Sequence, residues 1–95
     1  MTPEGRVKER VKKVLRTFGV YWHCPVQNGM GAPSLDFVCC VKGRFFAIET
    51  KAGDKKPSAR QETTIEEMKN AGAVVFVVND VTGTGELETW LKQNT

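Results

Sequence analysis

Two apolar runs in the middle of the chain, residues 35–41 and 44–51, are separated by only two residues, Lys42 and Gly43. Strands joined by so short a loop pair as an antiparallel hairpin, although Lys-Gly is a weaker turn signal than Asn-Gly. A two-residue loop determines which residue of the first strand pairs with which residue of the second along the whole hairpin. This hairpin limits the possible folds more than any other feature, because it sets the register of two adjacent strands.

The same register brings charged side chains together at the open end of the hairpin. Asp36 faces Glu49, Lys51 shares a face with Glu49 because strand side chains alternate, and Ser34 faces Lys51. Opposed like charges destabilise a sheet, so either the register is shifted or the patch holds something positive. Lys51 supplies one positive charge. Carboxylate and main-chain oxygen ligands would add a hard divalent cation, Mg²⁺ or Mn²⁺.

Residues 1–18 have the pattern of a basic amphipathic helix. Thr2 and Pro3 suit the N-cap and first helical position, and Gly19 suits the end of the helix. The apolar positions at helical spacing are Val7, Val11, Val14, Leu15 and Phe18. The basic residues are Arg6, Lys8, Arg10, Lys12, Lys13 and Arg16. They form either an ordinary solvated face or a surface that contacts phosphates.

The two acidic residues of this helix differ in position. Glu9 lies opposite the apolar stripe, beside Lys12 and Lys13, and is explained by surface ion pairing. Glu4 lies close to the centre of the apolar stripe, where a carboxylate needs a partner or a cation. The alternative for Glu4 is a first-turn acid that favours the helix dipole.

The rest of the chain predicts further strands and helices around the hairpin. The expected elements are a strand over residues 20–26, a glycine-rich loop suited to a site rim over 27–34, a helix from Ser58 to about Asn70 that ends near Gly72, a strand over 73–78 buried on both faces, and a short helix containing Leu87, Trp90 and Leu91. The order α-β-β-β-α-β-α predicts one mixed sheet flanked by helices, in a single α/β domain over residues 1–95.

Gln61 has two interpretations at the start of the second predicted helix. It lies three residues after Ser58, as the second partner of a capping box requires. It is also four residues before the apolar Ile65, and so points inward. Three basic residues cluster at the same helix start, namely Lys55, Lys56 and Arg60.

Composition excludes several classes of protein. The 95 residues allow one small core, and no apolar run approaches the ~20 residues of a membrane span. The charged first residues lack the apolar segment of a secretory signal, so three cysteines, an odd number, are expected to be reduced and the protein cytoplasmic. The net charge of +3 is too small to identify a partner by itself.

The ordered motifs resemble the PD-(D/E)XK nuclease superfamily, and most closely its small stand-alone VRR-NUC members of phages and bacteria. The matching residues, over about residues 4–79, are Glu4, Gly19, Gly29 with Gly31, Pro33 before Asp36, Glu49-Thr50-Lys51, and Gln61. The family usually has proline immediately before the aspartate, whereas Ser34 and Leu35 intervene here.

The resemblance implies a restriction-endonuclease-like fold and a DNA endonuclease that uses Mg²⁺ or Mn²⁺. Asp36, Glu49, the Thr50 main-chain carbonyl and Glu4 would hold one or two metal ions beside the scissile phosphate. Lys51 would orient or deprotonate the attacking water or stabilise the transition state, and Gln61 would position Lys51 or a phosphate. The resemblance also implies a homodimer acting on branched or duplex DNA in a bacterial or phage-infected cell. The DNA backbone would be held by Arg6, Lys8, Arg10, Lys12, Lys13, Lys55, Lys56 and Arg60.

Two other functions are compatible with parts of the sequence. A nucleic-acid-binding module without catalysis explains the basic residues, but not the inward-facing acids. A zinc-supported structural protein would use His23, Cys24, Cys39 and Cys40, but adjacent strand cysteines point to opposite faces and a CxxC spacing is absent. Tyr21 and Trp22 are expected in the core rather than in a dimer contact.

Overall fold

A computed structural model of the chain describes residues 1–27 and 31–95. The described residues form α1 (Pro3–Thr17), β1 (Tyr21–His23), β2 (Phe37–Val41), β3 (Arg44–Thr50), α2 (Ala59–Asn70), β4 (Val74–Val78) and α3 (Gly85–Asn94). The strands lie in the order β1-β2-β3-β4, with β1, β2 and β3 antiparallel and β4 parallel to β3. This arrangement confirms the predicted element order and the mixed sheet.

The predicted helix ends are confirmed by their hydrogen bonds. The Thr2 hydroxyl accepts a 2.9 Å bond from the Gly5 N–H at the start of α1. Ser58 and Gln61 form the predicted capping box, in which the Gln61 N–H donates to Ser58 Oγ at 3.2 Å and the Ser58 N–H donates to Gln61 Oε1 at 2.9 Å. Gly19, just after α1, has a φ of +67°, which suits glycine.

The hairpin loop has the predicted length and register. Lys42 and Gly43 both have positive φ, 49° and 79°, as a type I′ turn requires. Its twist matches that of the flanking strands, so the ladder begins at Val41 opposite Arg44. The register confirms the predicted pairing as far as the last ladder pair.

The ladder is shorter than predicted at its open end. It stops where Phe37 pairs with Ile48, so Asp36 lies at a bend just before β2 and Lys51 just after β3. The cause is the Asp36 carboxylate, which accepts the Thr50 N–H that a further ladder bond would have used. Asp36, which was predicted to face Glu49 in the ladder, instead contacts Glu49 and Thr50 through hydrogen bonds between side chains and the backbone.

The sheet separates two apolar clusters. Consecutive residues of β3 alternate, so Ile48 joins the larger cluster with α1 and α3, while Ala47 joins a smaller cluster with Ile65 of α2. The larger cluster contains the fully buried Val7 and Leu91. The amphipathic pattern of α1 therefore faces the core as predicted.

Two predictions about the first strand are wrong. β1 covers Tyr21–His23 rather than residues 20–26, since Pro25 lacks the N–H that a ladder needs. Tyr21 is 71% exposed, because this part of the sheet lies outside the cluster under α2, whereas Trp22 packs on the core beneath the Arg16 guanidinium. β4 lies at the sheet edge, but both of its faces are covered as predicted, since Phe76 and Val78 belong to the larger cluster and Val75 and Val77 pack against the smaller one. Val74, at the start of the strand, is 37% exposed. Over the part of the chain that is described, no helix combines the length and hydropathy of a bilayer-spanning segment.

Candidate active site

Asp36 is held in place by Thr50 at the open end of the hairpin. Asp36 Oδ2 accepts a 2.9 Å hydrogen bond from the Thr50 N–H and a 2.8 Å bond from the Thr50 hydroxyl. Thr50 is completely buried, so both donors are fixed in direction. The other oxygen, Asp36 Oδ1, lies 3.7 Å from the ammonium nitrogen of Lys8 on α1.

Glu49 lies beside Asp36 and is almost completely buried, with 2% of its surface exposed. Its Oε1 accepts a 3.2 Å hydrogen bond from the Asp36 N–H. Its Oε2 lies 3.8 Å from the ammonium nitrogen of Lys51. Each of the two carboxylates therefore has one oxygen bonded to the fold and one oxygen near a lysine.

The electrostatics of the pair favour an added positive charge. Burial, the neighbouring Asp36 charge and a side-chain hydrogen bond with Asp36, in that order of size, together raise the pKa of Glu49 to about 7. The Asp36 N–H and the Lys51 charge act against this shift. A carboxyl group that titrates near neutrality because of burial and a like charge is typical of a functional site.

The donor atoms at this position suit a hard cation. A strand residue directs its N–H and C=O to the same side, so the Thr50 carbonyl points toward β2, the side on which Asp36 lies. Two carboxylates and a main-chain carbonyl are oxygen ligands of the kind that Mg²⁺ and Mn²⁺ take, with water completing the shell. Asp36, Glu49 and Thr50 therefore fit the predicted metal.

Glu4 lies near the site, but not beside Asp36 and Glu49. It is half-buried and lines a cavity of about 360 Å³ together with Lys51 and Lys55. Within residues 1–27 and 31–95, no three acidic, histidine or cysteine side chains come close enough to share a metal ion. Lys8, one turn along α1 from Glu4, is the residue that reaches Asp36. Direct ligation by Glu4 stays a prediction.

Gln61 is used by the helix cap rather than by Lys51. Its side chain bonds to the Ser58 N–H, and the hydrogen bonds of the described residues include none between Gln61 and Lys51. Gln61 lines a second cavity, of about 270 Å³, with Ser34 and Arg60. Ser34 does not face Lys51 as predicted, because the ladder ends before it. Gly29 of the predicted loop lies outside the described residues.

The predicted basic surface is partly used in contacts within the protein. Lys12 pairs with Glu9 at 3.2 Å, as expected, and Arg10 contacts Asp80 at 2.6 Å. Lys8 lies beside Asp36, as described above. Among the residues that the structure covers, five of the predicted DNA-contacting cations form no ion pair, namely Arg6, Lys13, Lys55, Lys56 and Arg60.

Two polar residues that follow β4 were not identified from the sequence. Asn79 is buried and donates from Nδ2 to the Lys55 carbonyl at 3.1 Å. Asp80 accepts from the Gly53 N–H at 2.6 Å, and the pKa of its carboxyl is lowered by the Arg10 and Gly53 hydrogen bonds. Together they fix the segment that follows Lys51. The available signal was an Asn-Asp pair directly after an apolar strand that runs parallel to its neighbour.

The cysteines do not form a metal site in the described part of the chain. Cys39 is buried and Cys40 is exposed, which confirms that adjacent strand cysteines point to opposite faces. Burial, with a smaller contribution from the nearby Cys24 thiolate charge, raises the pKa of the Cys39 thiol to about 12. A thiol with so high a pKa is a poor metal ligand, so the predicted reading of Cys39 as a small apolar residue agrees with its surroundings.

Comparison with known proteins identifies a structural relative. No family model matches the chain, and no curated protein matches it. A solved structure described as "VRR_NUC domain" superimposes with a TM-score of 0.78 at 22% identity, covering 100% of both chains. The predicted restriction-endonuclease-like arrangement is confirmed at the level of the fold. The chain has the fold of a VRR_NUC domain.

Proposed function

We propose that the chain is a VRR-NUC family nuclease, a metal-dependent endonuclease that hydrolyses phosphodiester bonds of DNA. The observation that carries this proposal is the convergence of Asp36, Glu49 and Lys51 at one end of a hairpin within the VRR_NUC fold. Above its raised pKa, ionised Glu49 lowers the free energy of unfolding of the metal-free protein, so stability alone does not account for an ionised acid at this position.

Asp36, Glu49 and the Thr50 carbonyl would hold Mg²⁺ or Mn²⁺, with Glu4 contributing directly or through water. The bound cation would lower the pKa of a water molecule and stabilise negative charge on the phosphate. The Thr50 N–H and hydroxyl keep Asp36 in one orientation. A fixed ligand orientation lowers the reorganisation that the reaction requires.

Lys51 is the residue proposed to act on the reacting groups. Its side chain is 19% exposed, so the ammonium group is accessible from the cavity that it lines with Glu4. From there it can donate a hydrogen bond to the attacking water or to a phosphate oxygen. Gln61, at the second cavity with Arg60, is proposed to position a phosphate.

DNA binding is proposed to depend on the exposed cations around the site. Lys55 and Lys56 lie four and five residues after Lys51 along the chain, and Arg60 lies at the start of α2. Such residues hold the phosphate backbone without reading sequence. A homodimer would offer two sites for the two strands of a branched substrate such as a four-way junction, in the cytoplasm of a bacterial or phage-infected cell.

The test is cleavage of labelled single-stranded, duplex, flap and four-way-junction DNA with Mg²⁺ or Mn²⁺. We expect cutting of at least one substrate by the wild type, and loss of cutting but not of binding for Asp36→Ala and Lys51→Ala. Lys69→Ala, which removes an exposed lysine at the end of α2, is the matched control for charge. Binding without cutting of any substrate would instead favour the non-catalytic module. Light scattering after size-exclusion chromatography tests the dimer.

A further inference from the structure

We propose that the Lys8 ammonium group is an internal counterion of Asp36 Oδ1, the oxygen available to a metal ion, and that it competes with the divalent cation for this oxygen. This inference rests on the proposed function, because it concerns the metal that the two carboxylates are proposed to hold. It gives Lys8 a different role from DNA binding, the role predicted from its place on a basic helix face.

The two oxygens of Asp36 have different partners. Oδ2 accepts both hydrogen bonds from Thr50, at 2.9 and 2.8 Å. Oδ1 is therefore the oxygen left for a metal ion, and the Lys8 ammonium nitrogen lies 3.7 Å from it. A cation bound at Oδ1 and the Lys8 ammonium group would occupy the same side of the carboxylate and would repel each other.

Lys51 stands in the same relation to Glu49 but is less free to move. Its side chain is 19% exposed, and it directly follows β3, where its N–H donates to the Val78 carbonyl. Lys8 is 38% exposed and extends from the surface of α1 on a flexible four-carbon chain. Of the two ammonium groups beside the acids, Lys8 is thus the one that can move into solvent when a metal binds.

The pairing explains how two acids coexist without metal. Asp36 and Glu49 lie side by side, and each has its own ammonium group at 3.7 or 3.8 Å. Each carboxylate is therefore paired with one ammonium group before the cation binds. The consequence is a weaker affinity for metal, because binding must separate Lys8 from Asp36.

The test is calorimetric titration of the full chain with Mn²⁺, without DNA, at pH 7.5. We expect Lys8→Met to bind Mn²⁺ with a Kd at least about fivefold lower than the wild type, as expected for removing one nearby positive charge at a partly exposed site. Lys8→Arg keeps the charge and should stay within about twofold of the wild type. Lys12→Met, which removes a lysine paired with Glu9 on the same helix, should not change the Kd.

Weaker or unchanged Mn²⁺ binding by Lys8→Met would overturn the proposal, since a residue that merely holds Asp36 in place predicts weaker binding. Lys8→Gln, which keeps a polar side chain, must shift in the same direction as Lys8→Met. Thermal melting of each metal-free variant checks that it is folded. If neither the wild type nor any variant binds Mn²⁺, the metal-dependent function fails and this inference fails with it. Binding by the wild type without a tighter Lys8→Met overturns only the role of Lys8.

Discussion

The main-chain N–H of Asp36 donates a 3.2 Å hydrogen bond to Oε1 of the Glu49 side chain. The bend before β2 that allows this bond also turns the Asp36 carboxylate toward Thr50. The relative position of the two acids is therefore fixed by backbone geometry, and not by two side chains that face each other across a ladder. Each acid can be altered chemically while the other keeps its hydrogen bonds.

Glu49→Gln is expected to change how the stability of the metal-free protein depends on pH. The folded-state pKa of Glu49 is raised to about 7 from a usual value near 4.5. The contribution of Glu49 to the free energy of unfolding is therefore fully present below pH 4.5 and is lost as pH rises through 7. The loss amounts to about 3 kcal/mol. Urea unfolding between pH 4.5 and 8 should show a falling free energy of unfolding for the wild type and a flatter profile for Glu49→Gln. Glu67→Gln, on the exposed face of α2, is the control. Equal slopes for all three proteins would contradict the assigned cause.

Thr50→Val is expected to weaken both the fold and the proposed metal site. The valine keeps the shape and the main-chain N–H of Thr50 but removes the hydroxyl that donates to Asp36 Oδ2. Loss of one buried hydrogen bond to a charged group costs about 1.5–3 kcal/mol in the free energy of unfolding. Chemical unfolding and Mn²⁺ titration measure the two effects. Thr64→Val removes a hydroxyl that donates only a long 3.4 Å bond to a carbonyl, and should leave the Mn²⁺ affinity unchanged. An equal loss of affinity in both variants would argue against a specific role for Thr50.

Asn79→Ala is expected to release the segment that follows Lys51. The Asn79 side chain donates to the Lys55 carbonyl and accepts from the N–H groups of Val81 and Thr82. Unpaired backbone groups at this buried position should lower the free energy of unfolding by about 2–4 kcal/mol. Hydrogen exchange at the Lys55 and Gly53 amides should accelerate more than exchange elsewhere in the protein. A uniform loss of stability would instead accelerate exchange throughout the protein. Asn70→Ala, at the exposed end of α2, is the matched control.

Lys56→Ala is expected to reduce the salt dependence of DNA binding. Lys56 is exposed and forms no ion pair among the described residues, so it is free to contact a phosphate. Each lost phosphate contact lowers the slope of log Kd against log salt by about 0.9 on duplex DNA. Lys12 is already paired with Glu9, so Lys12→Ala should change the slope less. Fluorescence anisotropy across a salt series measures both variants, and identical slopes would remove Lys56 from the DNA-contacting surface.

The features that were predicted from the sequence depend on contacts between residues close in the chain. The caps at Thr2 and Ser58 and the Lys42-Gly43 turn involve partners no more than three residues away. The register of the hairpin follows from the turn, and this brought Asp36 and Glu49 together in the prediction. Local chemistry is sufficient for such features because chain connectivity has already placed the partners side by side.

The features that were missed depend on contacts between distant segments. The bend at Asp36 follows from capture of the Thr50 N–H, and the contact of Lys8 with Asp36 requires α1 to lie over the end of the hairpin. The exposure of Tyr21 depends on how far α2 extends across the sheet. Residue spacing carries no information about such distances, so the sequence placed Glu4 and Gln61 on inward faces without specifying what they contact.

The type I′ turn at Lys42 and Gly43 has a consequence for the opposite end of the hairpin. The turn lies about 20 Å from Asp36 and Glu49, at about 3.3 Å for each strand residue. Inserting a single residue there would shift the pairing by one position and move Glu49 away from the Asp36 backbone. The length of a surface loop remote from the acidic pair is therefore constrained as well as its residue type, so that length acts as a distant determinant of the site.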